Sequence, residues 1–181
     1  EPTIVLSVPL VMEKIYKNKV LPAFTQNRFL AFLYKIALFR LIFNRKAGKK
    51  LKKTFGGHLV FFGIGGAKID PKVEQFLHEA KFPYAIGYGL TETSPLLAGS
   101  GTRNTLPGTV GPVLEGVDLK INNPDPKTGI GEVVAKGENI MKGYYNAPEL
   151  TFMAFTNSTD SVGSGYFKTG DLGVIEKKRG L

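Results

Sequence analysis

The chain has 181 residues, of which 43% are hydrophobic and 22% charged, so it can bury a core in one or two domains. It contains no cysteine and two histidines, which excludes a disulfide framework, a zinc–thiolate site and a cysteine nucleophile. Its formal net charge of +9 favours anionic ligands or surfaces as partners.

The positive charge is concentrated near the amino terminus. After Ser7-Val8-Pro9, which predicts the capped start of a short helix, residues 14–53 contain twelve Lys and Arg and no Asp or Glu. Residues 24–47 have an apolar helical pattern, but two charges fall within Phe29–Phe43, whereas a membrane span needs about 20 nearly uncharged residues. Two interpretations stay open: a core helix packed on the missing part of the protein, and an interfacial helix whose cations contact lipid headgroups.

A strand–helix–strand unit follows the basic segment. Its predicted elements are a buried strand over His58–Ile64, a helix over Pro71–Ala80 capped by Asp70, and a strand over Tyr84–Tyr88. The loops that follow the two strands meet at the edge where open α/β sheets bind their ligands.

After about residue 105, short β segments separated by turns replace most helices. The predicted elements are strands at Val117–Ile121, Gly131–Ala135, Tyr166–Lys168 and Val174–Glu176, and a helix over Pro148–Phe155 capped by Asn146. We therefore predict an α/β fold class. Part of a parallel α/β sheet subdomain, residues 1–104 with a basic helical insert at about 20–56, precedes a small antiparallel β-barrel or sheet subdomain, residues 105–181.

The loop from Gly87 to Pro95 carries residues suited to a magnesium nucleotide. Tyr88 can stack on a purine, Thr91 can donate to a phosphate, and Glu92 can supply a hard oxygen to Mg²⁺. Gly87 and Gly89 allow the backbone to approach a ligand. The alternatives are a solvated loop acid at Glu92 and simple packing of Tyr88 at the end of a strand.

Two further segments complement this loop. Gly65, Gly66 and Ala67 can present flat backbone to a flat ring, and Asp171 offers two acceptor oxygens to a ribose diol. The glycine segment is not a Walker pattern, because no Gly-Lys-Ser/Thr follows it. The alternatives are a tight strand-to-helix turn at the glycines and an ordinary turn at Thr169–Asp171.

Taken in order, these segments resemble the adenylate-forming enzymes, and most closely the long-chain acyl-CoA synthetases. The resemblance covers almost the whole chain from about residue 58 onward and, more loosely, EPTIVLSVPLVMEKIY from Glu1. The basic insert points to the long-chain branch. Further stretches that look like family signatures are GTVGPVLEGVDLKI from Gly108, GEVVAKGENIMKGYY from Gly131 and GYFKTGDLG from Gly165.

The resemblance implies a fatty acid:CoA ligase that uses ATP, Mg²⁺ and CoA and passes through an acyl-AMP intermediate. It implies that Gly65, Gly66 and Ala67 line the adenine pocket, and that Thr91 and Glu92 meet the α-phosphate region and the magnesium respectively. We expect a cytoplasmic protein, and contact of the basic helices with the inner face of the membrane is one of the two interpretations left open above. No nucleic acid is expected as a partner, because nothing resembles a recognition motif.

Both ends of the chain are expected to be cut, since it lacks an initial methionine and ends at a turn. The family's phosphate loop and C-terminal domain are missing, so we expect residues 1–181 to be inactive alone while keeping weak adenylate affinity. The alternatives are a non-catalytic module that binds a membrane surface or a partner, and an adenylate former that activates aryl or amino acids. Fatty acid chain length and oligomeric state stay open.

Overall fold

The computed structural model describes residues 1–156 and 165–176. By their internal contacts, the residues form two compact units: Glu1–Gly87 with Ser100–Gly111, and Tyr88–Gly99 with Pro112–Leu181. The domain boundary near residue 104 stays a prediction, because units of this kind need not be domains that fold independently.

The first unit is built on parallel strands flanked by helices. β1 (Ile4–Ser7) pairs with β2 (Phe61–Ile64), and β2 pairs with β3 (Tyr84–Tyr88), all in parallel, which confirms the predicted parallel sheet. In chain order the elements are β1 (Ile4–Ser7), α1 (Pro9–Ile15), a π-helical turn (Tyr16–Val20), α2 (Leu21–Thr25), α3 (Arg28–Lys35), α4 (Ala37–Thr54), β2 (Phe61–Ile64), α5 (Pro71–Glu79) and β3 (Tyr84–Tyr88).

The predicted caps of this unit have different outcomes. Asp70 caps α5 as predicted, since its Oδ1 accepts a hydrogen bond from the Lys72 amide at 2.7 Å. The cap predicted at Ser7 is wrong, because Val8 is the residue that flanks α1 and no side chain caps that helix. β1 was not predicted, since four residues with alternate side chains exposed carry too short a pattern.

The core of the first unit lies between the sheet and α5. Phe62 and Phe76 are at most 1% exposed, and the Phe62 ring meets Phe55 and Phe82 at centroid distances of 5.4 and 5.6 Å. Aromatic pairs at such distances stabilise a core beyond their buried area. This core fixes β2 and β3 and therefore the positions where the loops after them begin.

The basic helix α4 packs on α5 of the same unit. A Cβ at Gly48 would lie 2.6 Å from the Ala80 carbonyl oxygen, so the close approach of the two helices requires glycine there. Glu79 accepts hydrogen bonds from Arg40 and from Asn44, whose side chain is buried. α4 therefore packs on α5 of this chain, and the predicted packing on a missing part of the protein stays a prediction.

Glu79→Gln is expected to destabilise the first unit by about 1–3 kcal/mol at pH 7, because it leaves Arg40 without its carboxylate. Burial raises the pKa of Glu79, but bonds from Arg40, Asn44 and Gln75 outweigh it and hold the pKa below its ordinary value. This stabilisation is present above the unfolded-state pKa and is lost as the pH falls through the folded-state value.

Urea unfolding of wild type and variant at pH 7 and pH 3 measures this effect. The difference in free energy of unfolding should shrink at pH 3, and the exposed Glu115→Gln should change stability by less than about 0.5 kcal/mol at either pH. A difference that is independent of pH would show that the carboxylate charge does not carry the effect.

The second unit contains an antiparallel sheet whose strands lie in the order β5 (Val117–Asn122), β6 (Gly131–Gly137) and β7 (Phe167–Gly173). Its described strands do not close into a barrel, so of the two predicted forms the open sheet is the one observed. The elements are a 3₁₀ turn (Thr91–Thr93), β4 (Ala98–Gly99), β5 (Val117–Asn122), β6 (Gly131–Gly137), α6 (Pro148–Ala154) and β7 (Phe167–Gly173).

Three local predictions in this unit are wrong. Val174–Glu176 was predicted as a strand, but β7 ends at Gly173 and these three residues are not part of a strand. Thr169–Asp171 was predicted as a turn between two strands but lies inside β7, where the pairing with β6 is irregular and Gly170 has a φ of 75°. A bulge of this kind lets a glycine with positive φ remain in a strand. Asn146 does not cap α6, because Ala147 flanks the helix and no side chain accepts from its first turn.

Within residues 1–156 and 165–176, no helix combines the length and the apolar character that crossing a membrane requires. α3 and α4 nevertheless keep large apolar side chains in solvent. Phe29 is 67% exposed, Phe32 62% and Leu38 65%, on helices whose other exposed positions are largely basic.

Candidate functional site

The chain turns back sharply after β3. Leu97 donates its amide to the Tyr88 carbonyl at 2.8 Å, which closes the loop over Gly89–Leu96. A Cβ at position 89 would lie 1.9 Å from the Pro95 carbonyl oxygen. The loop itself therefore requires glycine at 89, and the role of Gly89 in approaching a ligand stays a prediction.

Glu92 lies in the 3₁₀ turn of this loop and is half-buried. The Tyr144 phenol donates a hydrogen bond to its Oε1 at 2.9 Å, and the Met141 amide donates to its carbonyl at 2.8 Å. Its other carboxylate oxygen, Oε2, receives no hydrogen bond from the residues that the structure describes. One oxygen of Glu92 is thus held and the other is available.

The backbone of the loop is fixed on both sides of Glu92. The buried Thr93 hydroxyl accepts from the Leu90 amide at 2.9 Å. The Asn139 side-chain amide donates to the carbonyls of Thr93 and Leu96, both at 2.9 Å. Thr91 by contrast keeps its side chain exposed, as a donor to a phosphate requires.

Tyr88 and Asp171 are hydrogen-bonded to each other across 83 residues of sequence. The Tyr88 phenol donates to Asp171 Oδ2 at 2.9 Å. Burial raises the pKa of the Tyr88 phenol to about 12, and the neighbouring carboxylate of Asp171 contributes to the rise. The phenol is therefore a donor throughout the neutral range, and Asp171 stays exposed with a second oxygen for a ligand.

Thr169 sets the position of Asp171. Its buried hydroxyl donates to the Val133 carbonyl at 2.8 Å and accepts from the Asp171 amide at 3.1 Å. These two bonds tie the irregular part of β7 to β6. Thr169 thus supports the local structure that places the Asp171 side chain.

Gly65, Gly66 and Ala67 follow β2 in the first unit. A Cβ at Gly65 would lie 3.6 Å from the Gly87 carbonyl oxygen, an ordinary van der Waals contact. Gly66 has a φ of 85°, a conformation that favours glycine, and both Gly66 and Ala67 are exposed. Space alone does not demand glycine at 65, and the adenine-binding role of the segment stays a prediction.

Sequence reasoning missed three residues that support the site: Asn139, Tyr144 and Thr151. All three lie in or just after the stretch Gly131–Tyr145, which was quoted only for its resemblance. The only local signal is a cluster of polar and aromatic residues after a strand. The partners of Asn139 and Tyr144 lie 43 to 52 residues upstream, and one sequence does not reveal such pairs.

Residues 1–145 match the family described as AMP-binding enzyme. The long-chain-fatty-acid–CoA ligase FadD15 of Mycobacterium bovis is 31% identical, with 98% of this chain and 30% of the relative covered. Long-chain-fatty-acid–CoA ligase 2 of Schizosaccharomyces pombe is 32% identical, with 97% and 28% covered. The chain spans about 30% of the length of the curated relatives it matches.

Solved structures with this fold include apo MatB from Rhodopseudomonas palustris, with a TM-score of 0.64, 25% identity, and 98% of this chain and 29% of that chain covered. O-succinylbenzoate coenzyme A synthetase (MenE) from Bacillus subtilis in complex with AMP gives a TM-score of 0.63 at 20% identity, with 97% and 29% covered. Both structural similarities confirm the predicted fold class. Because MenE is only 20% identical, the similarity to MenE supports the fold and nothing further.

Proposed function

The chain belongs to the family of AMP-binding enzymes, and on this premise we propose that it forms part of an ATP-dependent long-chain fatty acid–CoA ligase. In the proposed reaction a fatty acid carboxylate attacks the α-phosphate of ATP, which gives acyl-AMP and pyrophosphate. The thiol of CoA then displaces AMP and forms the thioester. The names of the relatives support the long-chain substrate class. The observation that carries the proposal is the pair of tethered carboxylates, Tyr144–Glu92 and Tyr88–Asp171.

Glu92 is proposed as the protein ligand of Mg²⁺. Its Oε2 is a hard oxygen that has no donor among the described residues, and these residues hold no group of three or more possible metal ligands. A single carboxylate ligand is compatible with Mg²⁺, which is commonly bound through one or two carboxylates together with substrate phosphates. When bound, the ion would neutralise charge on the leaving pyrophosphate.

Tyr88 and Asp171 are proposed to bind the nucleoside. The free oxygen of Asp171 would accept from the ribose hydroxyls, and the Tyr88 ring would stack on adenine. Thr91 would donate to the α-phosphate. Gly65, Gly66 and Ala67 are proposed to line the adenine pocket, and CoA is proposed as the second substrate.

Two Tyr88 variants separate the ring from the hydroxyl. Tyr88→Ala is expected to weaken AMP binding about 5- to 150-fold, since a stacked base contributes about 1–3 kcal/mol. Tyr88→Phe keeps the ring and loses only the bond to Asp171, so it should weaken binding less than about tenfold.

Calorimetric titration of AMP into the complete protein, meaning a chain of the relatives' full length that contains these residues, measures both effects. Tyr145→Ala, at a residue 94% exposed, is the matched control and should bind AMP like the wild type. Equal AMP affinity for wild type and Tyr88→Ala would contradict the proposed stacking.

We propose as a second function that α3 and α4 bind an anionic membrane surface at the inner face of the membrane. Phe29, Phe32 and Leu38 expose apolar side chains, and α4 also contributes Arg45, Lys49 and Lys52 to the lining of a cleft that it forms with residues 80–83. An amphipathic surface of this composition inserts its apolar side chains while its cations contact lipid phosphates. The charge favours an anionic membrane over a neutral one.

Sedimentation with vesicles tests this binding. We expect the protein to sediment with vesicles containing anionic lipid, to be released as salt rises, and to bind neutral vesicles weakly. The double variant Phe29→Ser, Phe32→Ser should lose binding, whereas Phe152→Ser, at an equally exposed position of α6, should keep it. No sedimentation at low salt, or equal sedimentation of the double variant, would contradict the proposal.

A further inference from the structure

We infer that Tyr144 is a positioning residue for Glu92: its phenol holds Oε1 of the carboxylate and leaves Oε2 for a metal ion bound to nucleotide phosphates. The inference rests on the proposed function, because it assigns a supporting residue to the metal site proposed there. Tyr144 and Glu92 are 52 positions apart in the sequence.

The position of Tyr144 is itself built into the fold of the second unit. Its backbone amide donates to the Thr151 hydroxyl at 2.9 Å, and that hydroxyl donates to the Ala147 carbonyl at 3.0 Å. Thr151 is buried and lies within α6. The start of α6 therefore anchors the backbone that carries the phenol.

Asn139 and Met141, which precede Tyr144 in the chain, also hold the main chain of the loop that contains Glu92. Asn139 binds the carbonyls of Thr93 and Leu96, and the Met141 amide binds the carbonyl of Glu92. Among the described residues, Tyr144 alone donates to the carboxylate. Asn139 and the Met141 amide thus fix the backbone of the loop around Glu92, and the Tyr144 phenol orients the Glu92 side chain.

The contact contributes little to stability. Tyr144 is 39% exposed, so water competes for this charge-assisted hydrogen bond, and exposed charged contacts add at most about 1 kcal/mol. Partners that orient a metal ligand commonly change metal affinity 10- to 100-fold when removed.

Tyr144→Phe removes the donor and keeps the ring, and Tyr145→Phe makes the same chemical change at a neighbouring residue that is 94% exposed. The readout is the affinity of the complete protein for Mn²⁺ in the presence of ATP, followed by electron paramagnetic resonance. We expect Tyr144→Phe to weaken Mn²⁺ binding about tenfold, and Tyr145→Phe to leave it unchanged. Tyr144→Phe should lower the Tm by no more than a few degrees, and Tyr145→Phe should leave it unchanged.

Glu92→Gln tests the proposed metal site separately from the positioning role of Tyr144. If Glu92→Gln loses Mn²⁺ affinity while Tyr144→Phe keeps wild-type affinity, the positioning role is wrong and the metal site stands. If Glu92→Gln binds Mn²⁺ like the wild type, or the wild type binds none with ATP, the proposed metal site fails and the inference fails with it.

Discussion

Replacing Glu92 by glutamine in the complete protein is expected to slow adenylate formation about 10²- to 10³-fold, the usual cost of losing one charge-stabilising group from an active site. The amide keeps the size of the side chain, and its oxygen can still accept from Tyr144. The free energy of unfolding should therefore change by less than about 0.5 kcal/mol. Exchange of labelled pyrophosphate into ATP measures the rate of adenylate formation, and urea unfolding measures the free energy of unfolding.

Glu149→Gln, at an exposed position in the first turn of α6, is the matched control and should leave both quantities unchanged. A proportional loss of activity and stability in Glu92→Gln would count against the metal role, because it would assign the carboxylate to the structure of the loop.

Gly89→Ala is expected to destabilise the second unit by about 3 kcal/mol or more, at or above the usual upper range for overpacking. The added Cβ would lie 1.9 Å from the Pro95 carbonyl oxygen and 2.8 Å from the Leu96 Cα. Both atoms belong to the backbone, so the loop that carries Glu92 must move. Hydrogen exchange of the Leu97 amide, which bonds to the Tyr88 carbonyl, reports this opening directly.

Gly65→Ala is the matched control for this prediction, because its Cβ would make only an ordinary contact of 3.6 Å with the Gly87 carbonyl oxygen. We expect Gly65→Ala to keep wild-type stability and, if the segment lines the adenine pocket, to weaken AMP binding. Wild-type protection of the Leu97 amide in Gly89→Ala would show that the loop accommodates the methyl group and that its closure does not require glycine.

Local chemistry was enough to predict several parts of this fold. The apolar run ending in glycines indicated β2, and the Asp70-Pro71 pair indicated the start of α5. The residue types of Tyr88 and Asp171 were predicted to serve one ligand, and the structure joins the two side chains by a hydrogen bond. Whether they bind a nucleotide stays a prediction.

Non-local contacts could not be predicted in the same way. Tyr144 reaches Glu92 because β6 and the start of α6 place it there, and no pattern within one sequence encodes that pairing. The glycine at 89 was assigned to ligand approach since its local sequence does not show that Pro95 returns to it. The Thr169–Asp171 stretch was predicted as a turn because it contains a glycine. Gly170 has a positive φ inside β7, where the pairing with β6 is irregular, and the local sequence does not show that irregular pairing.

Calorimetric titration of the complete protein with a non-hydrolysable acyl-adenylate mimic, alongside its Asp171→Ala variant, tests the central claim most directly. The claim is that Asp171, tethered by Tyr88, binds the ribose of an adenylate. We predict one mimic bound per chain, with affinity reduced at least about tenfold in Asp171→Ala, since hydrogen bonds to a charged group contribute about 1.5–3 kcal/mol. Equal affinity for the two proteins, or no binding by the wild type, would contradict it.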